Sequence, residues 1–218
     1  MKIKHFIAYA IVLGIVSLGI GCTGSNPKQD STIKSEPPPP NTQAVPETPP
    51  PVSAAPSFDV LANFIPSGWM GDGESGRKYL QFDDTWKNKA HTPPCVKISY
   101  TPGPRKFAAI RWQNLPGNFG GSPGEDWSKK GYTRVTFWAK GNSGGESVEF
   151  IVGGTQDTNL PYKDSFRAST GKIPLEKGWK QYTIDLKGQS LSSVIGGICF
   201  TTAPSSTITF YIDDVFYE

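Results

Sequence analysis

The chain has 218 residues, with 22 lysines and arginines against 19 aspartates and glutamates, which gives a formal net charge of +3. This mild charge, with no cluster of basic residues in the second part of the chain, argues against nucleic acid as a partner. Proline is concentrated before residue 57, so the folded part is expected at residues 57–218, which is long enough for one domain with a sizeable core.

Residues 1–21 have the layout of a secretion signal. Lys2 and Lys4 give a basic start, a mostly apolar run follows, and small residues precede Cys22. The apolar run is short for crossing about 30 Å of hydrocarbon, which favours cleavage over a permanent anchor. The stretch LGIGC resembles the lipobox of bacterial lipoproteins, although Gly19 stands where such motifs usually have leucine. The resemblance implies cleavage before Cys22 and a lipid on this cysteine, which would anchor the protein to a membrane of the cell envelope, in the outer membrane or at the cell surface. Without the lipid, the protein would be freely secreted.

Residues 22–56 are predicted to be a tether. They contain EPPPPNTQAVPETPPPVSAAP and no aromatic residue. Such a segment cannot bury enough apolar surface to fold, and it stays extended as a semi-rigid spacer. Its expected purpose is to hold the folded part away from the membrane.

The hydrophobic pattern of residues 57–218 is strand-like nearly throughout. Eight strands separated by glycine- and proline-containing turns are predicted at KYLQF, CVKISY, KFAAIRWQN, RVTFWAK, SVEFIVGG, KQYTIDL, VIGGICFTT and ITFYIDDVFYE. Only VLANFI and LSSVIGG are candidates for short turns of helix. The pattern therefore predicts an all-β fold, a two-sheet antiparallel β-sandwich of the jelly-roll kind.

Alternation along these strands separates a core face from an outer face. Ile110 and Trp112 share one face, and Arg111 and Gln113 share the other. In SVEFIV, Glu149 opposes the apolar residues on either side of it. The polar face is either an ordinary solvated face or a shallow groove for a polar ligand, and alternation alone does not choose between them.

Three segments, GYTRVTFWAKGNSGGESVEFIVGG, GWKQYTIDLKGQSLSSVIGGICF and TITFYIDDVFYE, resemble bacterial carbohydrate-binding modules of the galactose-binding-like jelly-roll type. The resemblance covers most of residues 57–218. It implies a non-catalytic domain, expected to be a monomer, that binds a polysaccharide or oligosaccharide. A surface structural or assembly domain that contacts protein stays open as an alternative, and a glycan-active enzyme is a less favoured one.

Motifs of catalysis are missing from the sequence, which has no Gly-x-Ser-x-Gly elbow, phosphate loop or histidine-rich metal motif. The single histidine after the signal, His91, lies in a turn-like segment where a solvated side chain is expected. Carboxylate pairs such as Glu149 and Asp164 exist, but any chain with 19 acidic residues offers such pairs. We therefore expect no enzymatic activity.

Asp213 and Asp214 stand side by side in the last predicted strand, where neighbouring carboxylates should repel each other and resist burial. The family resemblance implies a structural Ca²⁺ ion near the chain termini, with Asp213 as a ligand. Because Ca²⁺ takes six to eight oxygens, further ligands are expected from acidic residues of two early segments: Asp72, Glu74, Asp83 or Asp84. Glu74 and Asp83 are the predicted pair. Alternatively, Asp213 lies on the solvated face and Asp214 accepts hydrogen bonds at a bulge.

The segment RWQNLPGNFGGSPGEDW combines amides, a guanidinium, a carboxylate and aromatic rings in one strand and its long loop. These groups suit a neutral sugar, whose C–H faces stack on rings and whose hydroxyls bind polar groups. A glycine-rich connection without a ligand is the alternative. The predicted ligand-binding residues lie on the outer face and its bordering loops: Arg111, Gln113, Asn118, Phe119, Trp127, Glu149 and Tyr162. Alanine at Gln113 or Trp127 is expected to weaken binding and leave the fold intact.

The two cysteines of the folded part, Cys95 and Cys199, form an even pair in an oxidising compartment. A disulfide between them and two separate buried thiols both stay open.

Overall fold

The computed structural model describes residues 57–73, 76–88, 90–157 and 159–218. The predicted signal, the lipidation site at Cys22 and the predicted tether lie outside these residues. The chain divides into two units, and every described residue belongs to the second, residues 51–218. No helix in the described part of the chain has both the length and the apolar character that crossing a bilayer requires.

The described residues form eleven strands and one short helix. In chain order these are β1 (Phe58–Asp59), α1 (Val60–Asn63), β2 (Ile65–Gly71), β3 (Leu80–Trp86), β4 (Cys95–Tyr100), β5 (Ala108–Gln113), β6 (Arg134–Gly141), β7 (Ser147–Gly153), β8 (Arg167–Pro174), β9 (Lys180–Asp185), β10 (Gly196–Thr202) and β11 (Ile208–Tyr217). All eight predicted strands are present. The segment VLANFI contains α1, whereas LSSVIGG forms no helix.

Sequence patterns did not indicate β2 and β8, which are the two edge strands of one sheet. β2 contains Pro66 and Gly68, and both residue types are poor strand formers that an edge tolerates. β8 has no fully buried residue, so its sequence lacks the apolar alternation that marks a strand.

The strands form two antiparallel sheets. Sheet A has the order β3-β4-β11-β6-β9, and the short β1 pairs with β11. Sheet B has the order β2-β5-β10-β7-β8. Large side chains that are fully buried come from both sheets, including Ile110, Phe150 and Phe200 of sheet B and Phe137 and Phe210 of sheet A. The predicted jelly-roll sandwich is confirmed.

A bulge interrupts β11 at the aspartate pair. The register between β11 and β6 shifts between Asp213 and Phe216, and Asp214 has φ +49°, in the left-handed region. Adjacent residues of a regular strand point to opposite faces, so without the bulge the Asp214 side chain would point into the core. The bulge instead lets Asp214 contact the His91–Thr92 segment.

The two cysteines lie on opposite outer faces of the sandwich. Cys95 alternates with the core residue Val96 in β4 of sheet A. Cys199 packs with Ala109 and Ile151 on the outer side of sheet B. Both thiols are free. The structure thus contradicts a disulfide and agrees with two separate buried thiols, because both sheets stand between the sulfur atoms.

This arrangement predicts the reactivity of the thiols. Burial raises the pKa of both the Cys95 and the Cys199 thiol to about 11, so neither is a thiolate near neutral pH. In a Cys22→Ser chain without reductant, we expect no reaction with Ellman's reagent at pH 8 in the native state. Two thiols should react in denaturant. A denatured chain with no reactive thiol would show that the two cysteines are bridged.

Candidate functional site

The outer face of sheet B has a small apolar floor. Ala109, Ile151 and Cys199 pack together there, with Met70 and Phe107 against them. Cys199 pairs with Ile151 of β7 on one side and with Arg111 of β5 on the other, so the floor crosses the middle of the sheet. Ala109, Ile151 and Cys199 are at most 6% exposed, so the floor supports the side chains above it and offers a ligand little surface of its own.

Arg111 lies on this face, as the alternation predicts, but it is only 8% exposed. Its Nη1 donates to the Gly153 carbonyl at 2.6 Å and to the Thr155 hydroxyl at 3.0 Å. The same nitrogen is 3.6 Å from the Asp164 carboxylate. The guanidinium therefore joins the middle of the sheet to the segment that follows β7.

Asp164 is the buried centre of this segment. Its carboxylate accepts the amides of Thr155 and Ile195, both at 2.6 Å, and of Gly196 at 3.2 Å. Three amide donors and one guanidinium compensate the buried charge. Because the side chain is fully buried, Asp164 has no access to a substrate.

Accessible charges of the face include Glu149 and Arg167. Their side chains form an ion pair of 3.3 Å between β7 and β8 and are 19% and 52% exposed. An exposed pair of this kind adds little stability. Its carboxylate and guanidinium are therefore available to ligand hydroxyls. Arg167 was not predicted because its strand has no clear sequence pattern.

Gln113 and Asn118, by contrast, stabilise the loop after β5. Gln113 is fully buried; its Nε2 donates to the Asn118 carbonyl at 2.6 Å and its Oε1 accepts the Ser67 hydroxyl at 2.8 Å. The Asn118 side-chain oxygen accepts the amides of Gly120 and Ser122, both at 3.1 Å. The prediction that these amides face a sugar needs correction, since loop groups already occupy them.

Trp127 also differs from the prediction. It is 3% exposed, and its ring centroid lies 4.6 Å from that of Phe58 and 4.9 Å from that of Tyr217. Its Nε1 donates to Glu125 at 2.9 Å. The indole closes one end of the core and offers no face for stacking on a sugar.

Phe119 and Tyr162 remain exposed, by 37% and 40%. Their loops are joined by a hydrogen bond of 3.0 Å from the Tyr162 amide to the Gly120 carbonyl. A side chain at Gly120 would clash with the Tyr162 carbonyl, and the φ of +119° also requires glycine. The two rings therefore lie on adjoining loops beside the Arg111 end of the face.

A second cluster surrounds the bulge of β11. The Asp213 carboxylate accepts the Thr92 amide at 2.7 Å and the Asp214 amide at 3.0 Å. Asp214 accepts the Thr92 hydroxyl at 2.9 Å, and its Oδ2 lies 2.8 Å from His91 Nδ1. Burial, together with the charge of Asp214, raises the pKa of Asp213 in spite of the Thr92 hydrogen bond.

His91 is exposed, as expected of a loop side chain, and it also takes part in this cluster. Its ring stacks on Trp138, with centroids 4.0 Å apart and planes 19° apart. His91 and Asp214 are 123 residues apart in sequence, and no local pattern links them.

Of the calcium ligands considered from sequence, the structure places Asp84 but not Asp83 in the cavity beside Asp213, in the part of the chain that it describes. Glu74 lies outside the described residues. The Asp83 carboxylate accepts the amide and the hydroxyl of Thr85 at 2.9 and 2.8 Å. Asp83 pairs in register with Lys97, and it does not line the cavity beside Asp213. That cavity, of about 340 Å³, is lined instead by Asp59 and Asp84. Whether a calcium ion binds stays a prediction.

Comparison with protein-family models gave no match, and comparison with curated protein sequences gave none either. Solved structures of carbohydrate-binding modules have a similar fold. A family 11 module from a cellulosomal cellulase of Clostridium thermocellum has 16% identity and a TM-score of 0.50, with coverage of 76% of this chain and 95% of the module. A family 30 module has 16% identity and a TM-score of 0.51, with coverage of 75% and 88%. At this identity the likeness shows the fold, the jelly-roll sandwich of carbohydrate-binding modules.

The family 11 module of the same organism has also been solved in complex with a β-1,3-1,4-mixed-linked tetrasaccharide. That structure has 16% identity and a TM-score of 0.50, with coverage of 74% of this chain and 93% of the module.

Proposed function

We propose that residues 57–218 form a non-catalytic carbohydrate-binding domain and that the sugar lies on the outer face of sheet B. The observation that supports this most is the combination of the accessible Glu149–Arg167 pair and two exposed rings, Phe119 and Tyr162. Rings accept the C–H faces of sugars, while the carboxylate and the guanidinium bind hydroxyls. The tetrasaccharide bound by a module of similar fold makes β-glucans the first ligands to test.

The proposal includes display from the cell envelope. Lipidated Cys22 would anchor the chain to a membrane, and the proline-rich tether would carry a monomeric domain outward. Mass spectrometry of the mature N-terminus would test this part, because a processed chain that begins at an unmodified residue other than Cys22 contradicts it.

A second candidate function is contact with a protein on the cell surface. Ile65 and Leu115 are 41% and 47% exposed, and they lie at the same end of sheet B as Phe119. Exposed aliphatic side chains suit a protein partner better than a sugar.

The test is electrophoresis of the full chain through native gels that contain mixed-linkage β-glucan, xylan or galactomannan. We expect retardation by at least one polysaccharide. Replacement of Phe119 or Tyr162 by alanine should weaken binding by about 1–3 kcal/mol, since each removes one stacking surface. The matched control is Leu115→Ala, which removes a somewhat more exposed aliphatic side chain without a ring and should leave the affinity within about twofold.

Two outcomes would contradict the proposal. Unhindered migration through all three gels, together with silence on a glycan array, would favour the protein-contact function. Retardation that Leu115→Ala weakens as strongly as Tyr162→Ala would show that the rings are not stacking surfaces.

A further inference from the structure

We propose that His91, Asp213 and Asp214 bind one divalent ion of the zinc class, meaning Zn²⁺, Co²⁺, Ni²⁺ or Cu²⁺, in preference to calcium. One ligand atom from each of the three side chains lies within 4.8 Å of the others. That separation suits a single ion about 2.0–2.2 Å from each atom after small adjustments. The inference is independent of sugar binding, because the cluster lies on the outer side of sheet A.

The donor set decides the class of metal. Calcium takes six to eight oxygens in a flexible shell. Here one of the three donors is an imidazole nitrogen, and the predicted oxygen ligand Asp83 is engaged by Thr85. Asp59 and Asp84 line the adjoining cavity but do not belong to the group of donors that lie within 4.8 Å of one another. Imidazole with carboxylates suits zinc-class ions, which accept three protein ligands and one water.

The fold holds each donor in place. Stacking on Trp138 and an edge contact with Trp179, with ring centroids 5.9 Å apart, fix the orientation of the His91 ring. The Thr92 amide and hydroxyl bind Asp213 and Asp214. The bulge is essential, since neighbouring residues of a regular strand would place their carboxylates on opposite faces of the sheet.

The surroundings allow an ion to enter and complete its shell. With a neutral imidazole the cluster carries two negative charges, and a divalent ion neutralises both. The adjoining cavity of about 340 Å³ is lined by Asp213 and Asp214, and also by Asp59 and Asp84, and has room for water as a further ligand. A bound ion would cross-link the segment between β3 and β4 to the last strand, so it should stabilise the fold.

The experiment titrates the full chain with Zn²⁺, Co²⁺, Ni²⁺ or Ca²⁺ as the only added metal. Ni²⁺ should quench tryptophan fluorescence saturably at one equivalent, because the ligand His91 stacks on Trp138. Co²⁺ should develop visible absorption bands typical of mixed nitrogen and oxygen ligands. Zn²⁺ at a hundredfold excess over its dissociation constant should raise the Tm by about 5–10 °C.

Variants connect these signals to the site. His91→Gln should weaken Ni²⁺ binding at least about tenfold, whereas His5→Gln, which removes the other histidine of the chain, should change nothing. Asp214→Asn is a second variant with the same expected loss, and asparagine tolerates the left-handed backbone at this position. A circular dichroism melt establishes that each variant is folded.

Three results would overturn the proposal. One is the absence of saturable binding for all three transition metals. A second is Ca²⁺ stabilising the chain while Zn²⁺ does not, which would indicate an oxygen site of the kind predicted from sequence. The third is Ni²⁺ binding that is unchanged in both folded variants, because the ion would then lie elsewhere.

Discussion

Replacement of Asp164 by alanine is expected to destabilise the domain by about 3–5 kcal/mol, a large part of the stability of a typical domain. The change leaves the amides of Thr155, Ile195 and Gly196 without their acceptor in a buried site. It also removes the carboxylate 3.6 Å from the buried Arg111 guanidinium. Unpaired donors and an uncompensated buried charge are among the most costly defects a substitution can create.

The measurement is urea unfolding of the full chain and of the variant, followed by tryptophan fluorescence. Asp157→Ala is the matched control, because Asp157 belongs to the same connection and accepts one amide, from Asn159 at 2.9 Å, in an exposed site. Its effect should stay within about 0.5 kcal/mol. A loss below about 1 kcal/mol for Asp164→Ala would mean that water or a rearranged segment satisfies the donors.

The Asp164→Ala variant should also bind sugar more weakly, even at a low temperature at which it remains folded. Asp164 and Arg111 hold the connection between β7 and β8, and Tyr162 belongs to that connection. A ring on a loosened loop must be ordered at the moment of binding, which lowers affinity. The proposed binding face therefore depends on a buried ionic cluster that no ligand touches.

The sequence allowed the sandwich and its faces to be predicted because strands repeat with a period of two. Ile110 and Phe150 are fully buried, while Arg111 and Glu149 lie on the outer face of sheet B, as their alternation indicates. The two edge strands of sheet B were harder to predict, because one neighbour and partial exposure relax the demand for apolar residues.

Polar residues of the site were less predictable, because alternation gives the direction of a side chain but not what covers it. Gln113 points outward, as predicted, yet the loop that contains Asn118 lies over it and takes its hydrogen bonds. The cluster of His91, Asp213 and Asp214 was unpredictable for a related reason. His91 meets Asp214 only through the folding of a loop across sheet A, 123 residues along the chain.

Two aromatic residues of one loop differ in exposure, although the sequence predicted the same role for both. Phe119 and Trp127 follow the same strand in a glycine-rich segment, and the sequence favoured both as sugar platforms. The structure leaves Phe119 37% exposed and buries Trp127 to 3%. The difference comes from Phe58 and Phe64 in β1 and beside α1, which form a pocket for the indole.

This contrast leads to the second expected result: Trp127→Ala should destabilise the domain by about 3–5 kcal/mol, the usual cost of truncating a buried tryptophan to alanine. The substitution removes ring contacts with Phe58, Phe64 and Tyr217 and leaves a cavity at one end of the core. The burial of Trp127 contradicts the expectation from sequence that this variant would weaken sugar binding and keep its fold.

Thermal and urea unfolding measured together with the retardation assay will separate the two roles. Phe119→Ala is the matched control, an aromatic truncation in the same loop that should change the free energy of unfolding by less than about 1 kcal/mol and act on binding alone. Trp127→Ala should lower the free energy of unfolding, and it should weaken polysaccharide binding only under conditions in which the variant is partly unfolded. If Trp127→Ala instead unfolds like the parent chain and loses polysaccharide binding, the indole contacts the ligand, and the end of the sandwich that it closes must open when sugar binds.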